Sequence, residues 1–361
     1  MHRGPLSSDR MAAEATVGPT VLIASWLGDE HVRRIRDAAP AATVLHEPDL
    51  LPPPRYPADH SAPPIGRTAE QERRWRSLFA RADILFDFDR ANLAALPELA
   101  PRVRWIQATS AGIGTLMREH RLAERMPDTV FTTAAGIHAQ PLAEFCLFAM
   151  LWFAKRGPKL IDDQRAHRWD RFAGTDLAGR TLLIVGMGAI GTELARVARA
   201  FRMRTIGIKR TADGVEPASL HVDELHAPHA LRELLPRADV VALIAPHTPE
   251  TERMIGAREL ALMRPAAVLV NIGRGVLVDE GALVQALREG RIAGAALDVF
   301  ETEPLPADSP LWDLPNVLVS PHSASTSDGE NARLVELFVD NLERFLEGRA
   351  LRNVYRAERG Y

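Results

Sequence analysis

Three residues of this sequence carry side chains that together could hold an anion and move a proton. Arg274 stands between two glycines, Glu303 lies in the stretch E-T-E-P, and His322 follows a proline at the end of an apolar run. A guanidinium can clamp a carboxylate and a carbonyl oxygen because its donors form a planar fork. An imidazole can donate a proton near neutral pH, and a carboxylate on its far nitrogen fixes the tautomer and stabilises the charged form.

Each of these residues also has an ordinary structural interpretation. An arginine among glycines can belong to a surface loop, a glutamate can cap a helix, and a histidine can be a hydrogen-bonded core residue. Taken singly, each is more often structural than catalytic. The surrounding sequence therefore has to decide between the two interpretations.

A glycine-rich turn at residues 182–191, L-L-I-V-G-M-G-A-I-G, offers a second kind of chemistry. The apolar run predicts a buried strand and residues 189–200 predict an amphipathic helix, which is the context that this pattern requires. The first glycine permits the turn, the second lets a pyrophosphate approach the backbone, and the third lets the helix pack on the strand. The helix N-terminus supplies N–H groups and partial positive charge. We therefore expect a dinucleotide on Gly186, Met187, Gly188, Ala189, Ile190 and Gly191, although a turn without ligand is the alternative.

Strands and helices alternate along the chain on both sides of residue 141. The first series is predicted as strand 17–25, helix 30–39, helix 68–80, strand 84–88 and short apolar pieces at 103–107 and 130–133. The second is predicted as strands 181–185, 204–208, 239–244, 267–271, 293–297 and 317–319, with helices 189–201, 229–235, 279–289 and 327–347. This alternation predicts parallel α/β units.

Two segments depart from that alternation. Residues 48–64 contain seven prolines and predict an extended surface loop rather than a regular element. Residues 141–155 predict a long helix so apolar that it must be buried, either between domains or between subunits.

Composition and length limit the class of protein. A chain of 361 residues suits two domains, and a net charge of −3 gives no electrostatic footprint for nucleic acid or an anionic membrane. Cys146 is the single cysteine, which indicates a reducing compartment. No apolar segment is long enough to span a membrane, and residues 1–18 lack a signal core and predict a loose tail. We expect a cytoplasmic protein without nucleic-acid, membrane or metal partners.

Three further stretches carry a resemblance to a known family. They are V-L-V-N-I-G-R-G at 268–275, A-A-L-D-V-F-E-T-E-P at 295–304 and L-V-S-P-H at 318–322. With the glycine turn, they resemble the NAD(P)-dependent D-2-hydroxyacid dehydrogenases, which include glyoxylate/hydroxypyruvate reductases and phosphoglycerate dehydrogenase. The resemblance begins near Trp105 and implies hydride transfer between NAD(P)H and a small 2-keto acid to give the D-2-hydroxy acid. It implies that Arg274 clamps the substrate, His322 donates the proton and Glu303 supports His322.

The resemblance also implies further binding residues. The loop A-T-S-A-G-I-G at 108–114 matches one that holds the substrate carboxylate, although Gly114 replaces an acidic residue often found there. Asp298 matches an aspartate that accepts a hydrogen bond from the nicotinamide carboxamide, and a purely structural cap is the alternative interpretation. The loop 245–251 matches one below the adenosine, with His247 in place of the usual leucine, whereas His138 is expected to be structural. The implied substrate-binding residues are Ala111 and Gly112, and the implied cofactor-binding residues are Ala245, Pro246, Thr251, Ile272 and Asp298.

The end of the second nucleotide-domain strand predicts which dinucleotide is bound. An acidic residue at this position bonds the ribose 2′-OH of NAD. Here the strand 204–208 is followed by Lys209, Arg210 and Thr211, which suit the 2′-phosphate of NADP. Asp213 lies farther past the strand end, and the two cations could also be a solvated strand end. The expectation is NADP(H) as the preferred cofactor, with NAD(H) also possible.

These observations predict two doubly wound α/β domains, a Rossmann cofactor domain inserted into a flavodoxin-like substrate domain. The boundaries are expected at residues 1–137 with 323–361 for the substrate domain and at 138–322 for the cofactor domain. The family resemblance further implies an active site in the cleft between the domains and a homodimer supported by helix 141–155.

Other activities share this fold and stay open. Formate dehydrogenases place an amide where Glu303 stands, so formate dehydrogenase activity is disfavoured. Phosphite dehydrogenase activity stays open. Phosphoglycerate dehydrogenase is possible, although no regulatory domain is expected after residue 347. From a different class, a dinucleotide-sensing corepressor would keep the glycines without efficient turnover.

Overall fold

A computed structural model of the chain describes residues 18–357. The expected loose tail therefore lies almost wholly outside the described residues. The described part forms two compact units, one of residues 18–135 with 328–357 and one of residues 136–327. Within residues 18–357, no helix combines the length and hydropathy needed to cross a membrane.

The first unit is built on a five-stranded parallel sheet. Its strands are β1 Thr20–Ile23, β2 Thr43–Leu45, β3 Ile84–Phe86, β4 Trp105–Gln107 and β5 Val130–Thr132, in the order β2-β1-β3-β4-β5. Its helices are α1 Asp29–Ala38, α2 Ala69–Phe79, α3 Leu96–Leu99, α4 Gly114–Glu119 and α5 Leu122–Arg125. This strand order is that of the flavodoxin-like fold.

The second unit is built on a seven-stranded parallel sheet. Its strands are β6 Thr181–Val185, β7 Arg204–Ile208, β8 Glu224–His226, β9 Val240–Leu243, β10 Val268–Asn271, β11 Gly294–Leu297 and β12 Val317–Val319, in the order β12-β11-β10-β9-β6-β7-β8. Its helices are α6 Ala139–Ala154, α7 Gly157–Arg165, α8 Ala189–Ala200, α9 Leu231–Leu234, α10 Ala257–Leu262 and α11 Glu280–Arg288. The order reverses at β6 and β9, as in a Rossmann domain. The predicted fold class is confirmed.

Both faces of the seven-stranded sheet are buried, which explains why its strands are continuous apolar runs. Leu183 and Val185 of β6 contribute to one hydrophobic core, whereas Leu182 and Ile184 contribute to the other. This alternation follows from the pleat, which points successive side chains to opposite faces. The α6 helix packs against the second core through residues that include Leu142 and Cys146.

The chain then returns to the first unit as α12, Glu330–Leu346. Phe338 of this helix stacks on Trp105 with ring centroids 4.9 Å apart and meets Phe86 edge-on at 5.2 Å. These aromatic contacts bury one face of the five-stranded sheet.

Two predicted segments differ from the structure. Within 48–64, residues Pro48–Leu50 form a 3-10 turn, and Leu50 and Leu51 are buried, so this segment is not wholly a surface loop. The predicted helix 229–235 is a mixture of short turns around the four-residue α9. Prolines at 228 and 236 explain this, because a proline lacks the N–H that a longer helix would need.

Candidate active site

The turn after β6 needs glycine at two of its three glycine positions for reasons of packing. Gly186 has a φ of +116°, and a Cβ there would come within 2.7 Å of the Ala245 backbone nitrogen. A Cβ on Gly191 would lie 2.3 Å from the Gly186 carbonyl oxygen. The first glycine therefore permits the turn and the third lets α8 approach it closely.

Gly188 differs from the other two because no packing requires it. A Cβ there would meet no atom within 4 Å, and the backbone angles suit any residue (φ −95°, ψ −158°). Gly188 is the N-cap of the twelve-residue α8 and offers no side chain to cap the first N–H groups of the helix. Open space above uncapped N–H groups fits the pyrophosphate of a dinucleotide.

Two cations follow β7 beside this turn. The Lys209 ammonium donates a hydrogen bond to the Met187 carbonyl oxygen at 2.8 Å, so it is anchored on the glycine turn. Arg210 is exposed, and its charge adds to the Thr248 hydrogen bond in lowering the pKa of Glu250. The two side chains are thus directed to the turn and to the loop 245–251, respectively, and Thr211 is exposed next to them.

The loop 245–251 is tied together by its own threonine. The Thr251 hydroxyl donates to the Pro246 carbonyl oxygen at 2.7 Å and accepts the Thr248 N–H at 2.8 Å. Ala245, at the start of the loop, and Ile272, after β10, are both buried. Thr251 therefore acts inside the loop, where it joins Pro246 to Thr248.

His322 and Glu303 form a close pair. The Nδ1 atom of His322 lies 2.7 Å from Oε2 of Glu303, while Oε1 accepts the Phe300 N–H at 3.0 Å. These hydrogen bonds hold the pair in place. The side chains of His322 and Glu303 are nevertheless 49% and 36% exposed, so the pair is accessible to a bound molecule. The remaining imidazole nitrogen, Nε2, is the atom able to exchange a proton with a bound molecule.

The pKa values of the pair move in opposite directions. The pKa of His322 is raised, chiefly by the hydrogen bond to Glu303, against an opposing effect of burial and a smaller one of Arg274. Burial acts to raise the pKa of Glu303, but the hydrogen bonds from His322 and Phe300 outweigh it, and that pKa is lowered. The pair is therefore stabilised as imidazolium and carboxylate.

Arg274 is presented by a tight turn after β10. Asn271 accepts the Gly273 N–H through Oδ1 at 3.1 Å and donates through Nδ2 to the Arg274 carbonyl oxygen at 3.0 Å. A Cβ on Gly275 would overlap the Phe300 backbone at 1.8 Å, so only glycine lets the turn pass there. The exposed guanidinium is close enough for its charge to act on both members of the histidine–glutamate pair.

Asp298 anchors the segment that carries His322. Its Oδ1 accepts the Ser320 hydroxyl at 2.5 Å and the N–H groups of Ser323 and Ala324 at 2.8 and 3.0 Å. Its carbonyl oxygen accepts the His322 N–H at 2.9 Å, and His322 holds a positive φ of +52°. Burial raises the pKa of Asp298 in spite of these donors. Asp298 thus has a positioning role in addition to the expected contact with nicotinamide.

The predicted carboxylate loop lies in the first unit, unlike the residues above. Ala111 and Gly112 are exposed after the carboxyl end of β4. Asp87, fully buried after β3, accepts the Thr109 hydroxyl at 2.9 Å and so fixes the start of this loop. A positive φ of +66° at Asp87 is the kind of backbone strain that accumulates at functional sites.

Sequence reasoning missed three supporting residues. Asn271 could have been found, since an asparagine before a glycine turn often bonds its own backbone two residues on. Ser320 and Asp87 gave no such signal, because their partners are 22 residues away in the sequence.

Comparison with known proteins identifies the family. Residues 147–324 match the model described as D-isomer specific 2-hydroxyacid dehydrogenase, NAD binding domain. The glyoxylate reductase of Aeropyrum pernix is 36% identical over 288 residues, which cover 77% of this chain and 84% of that protein. Glyoxylate/hydroxypyruvate reductase B of Citrobacter koseri is 32% identical over 355 residues, covering 93% of this chain and 97% of that protein.

A solved structure agrees with these relatives. The NADPH-dependent glyoxylate/hydroxypyruvate reductase of Sinorhizobium meliloti, crystallised with NADP and sulfate, has a TM-score of 0.74 and 25% identity. The comparison covers 95% of this chain and all of that one. The resemblance predicted from the sequence is confirmed. Since relatives of more than 30% identity align along most of its length, the chain belongs to the D-2-hydroxyacid dehydrogenase family and is an NAD(P)-dependent oxidoreductase.

Proposed function

We propose that this protein reduces glyoxylate or hydroxypyruvate, or a closely similar 2-keto acid, with NADPH to give the D-2-hydroxy acid. The observation that carries the proposal is the 2.7 Å contact between His322 and Glu303, with the Arg274 charge acting on both. A binding protein without turnover would have no need of a charged proton donor held in this way. The glyoxylate and glyoxylate/hydroxypyruvate reductases among the relatives support the choice of substrate.

The chain's own residues account for substrate binding and proton transfer. Bound NADPH supplies the hydride that reduces C2 of the keto acid. Arg274 holds the substrate carboxylate and polarises the carbonyl through its fork of donors, with the N–H groups of Ala111 and Gly112 as further carboxylate contacts. Protonated His322 gives its Nε2 proton to the carbonyl oxygen, and Glu303 favours the charged imidazolium from which that proton comes.

The proposed preference for NADPH rests on charge at the end of β7. Lys209 and Arg210 stand where an NAD-binding domain carries an acidic residue, and no carboxylate immediately follows the strand to repel a 2′-phosphate. The Sinorhizobium reductase, described as NADPH-dependent, supports the same choice. Gly186, Gly188 and the α8 N-terminus would hold the pyrophosphate, and Asp298 the nicotinamide.

The test is an assay of purified protein with NADPH and NADH against glyoxylate and hydroxypyruvate. Oxidation of the reduced cofactor is followed at saturating substrate, and the configuration of the product is determined by chiral chromatography. We expect turnover with both acids, higher kcat/KM with NADPH and the D-product from hydroxypyruvate. Tight NADPH binding without turnover of either acid would contradict the proposal and favour a sensing protein.

We also propose a homodimer formed through α6 and the segment after α7. Phe148 of α6 and Leu160 of α7 are each 48% exposed, and Trp169 is 96% exposed. Exposed aromatic and aliphatic side chains of this size favour a protein interface. Light scattering coupled to gel filtration should give twice the chain mass, and Trp169→Ser should shift the mass toward the monomer. A wild-type chain that elutes as a monomer at micromolar concentration would refute this assembly.

The domain roles and the compartment complete the proposal. Residues 136–327 would bind the cofactor, and the other unit would bind the substrate. The single cysteine, Cys146, is buried and has no partner for an intrachain disulfide, which favours the cytoplasm. Cell fractionation tests the compartment.

A further inference from the structure

A small polar crevice lies at the carboxyl ends of β1 and β3 in the first unit. Its volume is about 40 Å³, roughly three times the ~10–15 Å³ that one water needs. It therefore admits a substituent of a few atoms and excludes a large apolar group. The polar and charged residues that line it are Ser25, Asp59, His60, Arg67, Asp89 and Arg90.

The crevice lies where open parallel sheets usually bind ligands. In the order β2-β1-β3-β4-β5, the chain leaves β1 for β2 on one side and later continues with β3 on the other. Ligands of such sheets bind outside the carboxyl ends of the strands, at the point where the order switches. That point is the gap between β1 and β3, which the crevice occupies.

A hydrogen-bond chain across the crevice has a defined direction. Nε2 of His60 lies 2.8 Å from Oδ1 of Asn331, and Nδ1 of the same ring lies 2.9 Å from the Ser25 hydroxyl oxygen. The Asn331 oxygen can only accept, so Nε2 carries the proton, and burial, which lowers the pKa of His60, keeps the ring neutral. Nδ1 therefore accepts from Ser25. The hydroxyl oxygen of Ser25 keeps its lone pairs for another donor.

The charges around the crevice compensate one another. Asp59 pairs with Arg55 at 2.7 Å, and Asp89 accepts the Trp75 indole N–H at 2.8 Å. Arg67 lies over the Trp75 ring and 3.6 Å from a Glu72 carboxylate oxygen. Arg90 lies 3.9 Å from a carboxylate oxygen of Asp87. Because these charged groups already have partners, the crevice suits a neutral hydroxyl of a bound molecule better than a charged substituent such as a carboxylate.

The crevice is next to the proposed carboxylate loop in the same sheet. β4, which precedes Ala111 and Gly112, is the neighbour of β3, and Asp87 after β3 bonds Thr109 of that loop. Adjacent strands are about 4.8 Å apart. β1, which Ser25 follows, is two strands from β4 and so about 10 Å away. A three-carbon keto acid with a hydrogen bond of about 2.8 Å at each end spans about this distance, so its substituent on C3 reaches the crevice when its carboxylate is on the loop.

From this arrangement we propose that Ser25 is a specificity-determining residue that accepts a hydrogen bond from a hydroxyl on C3 of the substrate. The substrate class is then the 3-hydroxy-2-keto acids, with hydroxypyruvate as the smallest member. This inference rests on the proposed function and narrows it, because glyoxylate has no C3 and pyruvate has no hydroxyl there. His60 and Asn331 act by orienting the Ser25 hydroxyl.

The test compares hydroxypyruvate, pyruvate and glyoxylate with NADPH in the wild type, in Ser25→Ala and in the matched control Ser61→Ala. Ser61 lies beside His60 in the same loop and bonds Asp59 instead. The wild type should favour hydroxypyruvate over pyruvate at least tenfold in kcat/KM. Ser25→Ala should lower the hydroxypyruvate-to-glyoxylate ratio of kcat/KM about tenfold, and Ser61→Ala should keep the wild-type ratio.

A ratio of two substrates does not depend on the fraction of folded enzyme, so a loss of stability cannot imitate the expected result. An unchanged ratio in Ser25→Ala, with both acids still reduced, overturns the inference and leaves the proposed function standing. Should Ser25→Ala not fold, the wild type alone decides: equal kcat/KM for pyruvate and hydroxypyruvate overturns the inference. Reduction of none of the three acids contradicts the proposed function itself.

Discussion

Replacing Gly188 by alanine should weaken cofactor binding at the turn after β6 and leave the stability of the fold almost unchanged. The new Cβ would enter open space, and the backbone angles of Gly188 are allowed for alanine. The free energy of unfolding should therefore change by no more than about 0.5 kcal/mol. The same methyl group would occupy the space in which a pyrophosphate approaches the N–H groups of α8. Loss of one charge-assisted hydrogen bond, about 1.5–3 kcal/mol, weakens binding roughly ten- to a hundredfold.

Gly191→Ala is the matched control in the same turn. Its Cβ would lie 2.3 Å from the Gly186 carbonyl oxygen, well inside contact distance. Overpacking of this kind costs about 1–3 kcal/mol. At roughly 2–4 °C per kcal/mol for a domain of this size, the Tm should fall measurably.

The assay is a fluorescence titration with NADPH alongside thermal unfolding followed by circular dichroism. Gly188→Ala should keep the wild-type Tm and lose affinity, whereas Gly191→Ala should lose Tm. Wild-type affinity for NADPH in Gly188→Ala would refute the placement of the cofactor on this turn. A large fall in Tm for the same variant would refute the packing argument.

Three further predictions concern the pair, the arginine and the cofactor preference. Glu303→Gln should lower the pKa of His322, so that the reduction rate falls at lower pH than in the wild type; an unchanged pH–rate profile would remove Glu303 from this role. Arg274→Lys should raise KM and lower kcat together, since a point charge cannot replace the fork, and near-normal kinetics would contradict bidentate binding. Lys209→Asp combined with Arg210→Ser should reverse the order of kcat/KM for NADPH and NADH, and a wild type that favours NADH would show the strand end to be misinterpreted.

Much of the second unit could be predicted from the sequence because its signals are local. The β6 run, the glycine turn and the start of α8 all lie within residues 181–191. The structure has the strand at 181–185, as predicted. A strand buried on both faces has to be a continuous apolar run, and such a run is visible without any partner. The short edge strands β2 and β8 were missed, and neither contains a buried residue.

What could not be predicted depends on contacts between distant parts of the chain. His60 and Asn331 are 271 residues apart, and nothing near either residue indicates the other. The proline-rich segment was predicted to lie on the surface because prolines break regular elements, but a segment without regular structure can still bury Leu50 and Leu51. The anchoring of the His322 segment by Asp298 likewise became visible only with the fold.

The central claim is that His322 donates the proton that accompanies hydride transfer. The most direct test is kcat for hydroxypyruvate reduction by His322→Ala, measured together with the Kd for NADPH. If His322 is the donor, kcat should fall roughly 10²–10⁴-fold, the usual contribution of a positioned proton donor, and the Kd should be unchanged because His322 does not hold the cofactor. A kcat within a few-fold of the wild type, at equal NADPH affinity, would contradict it.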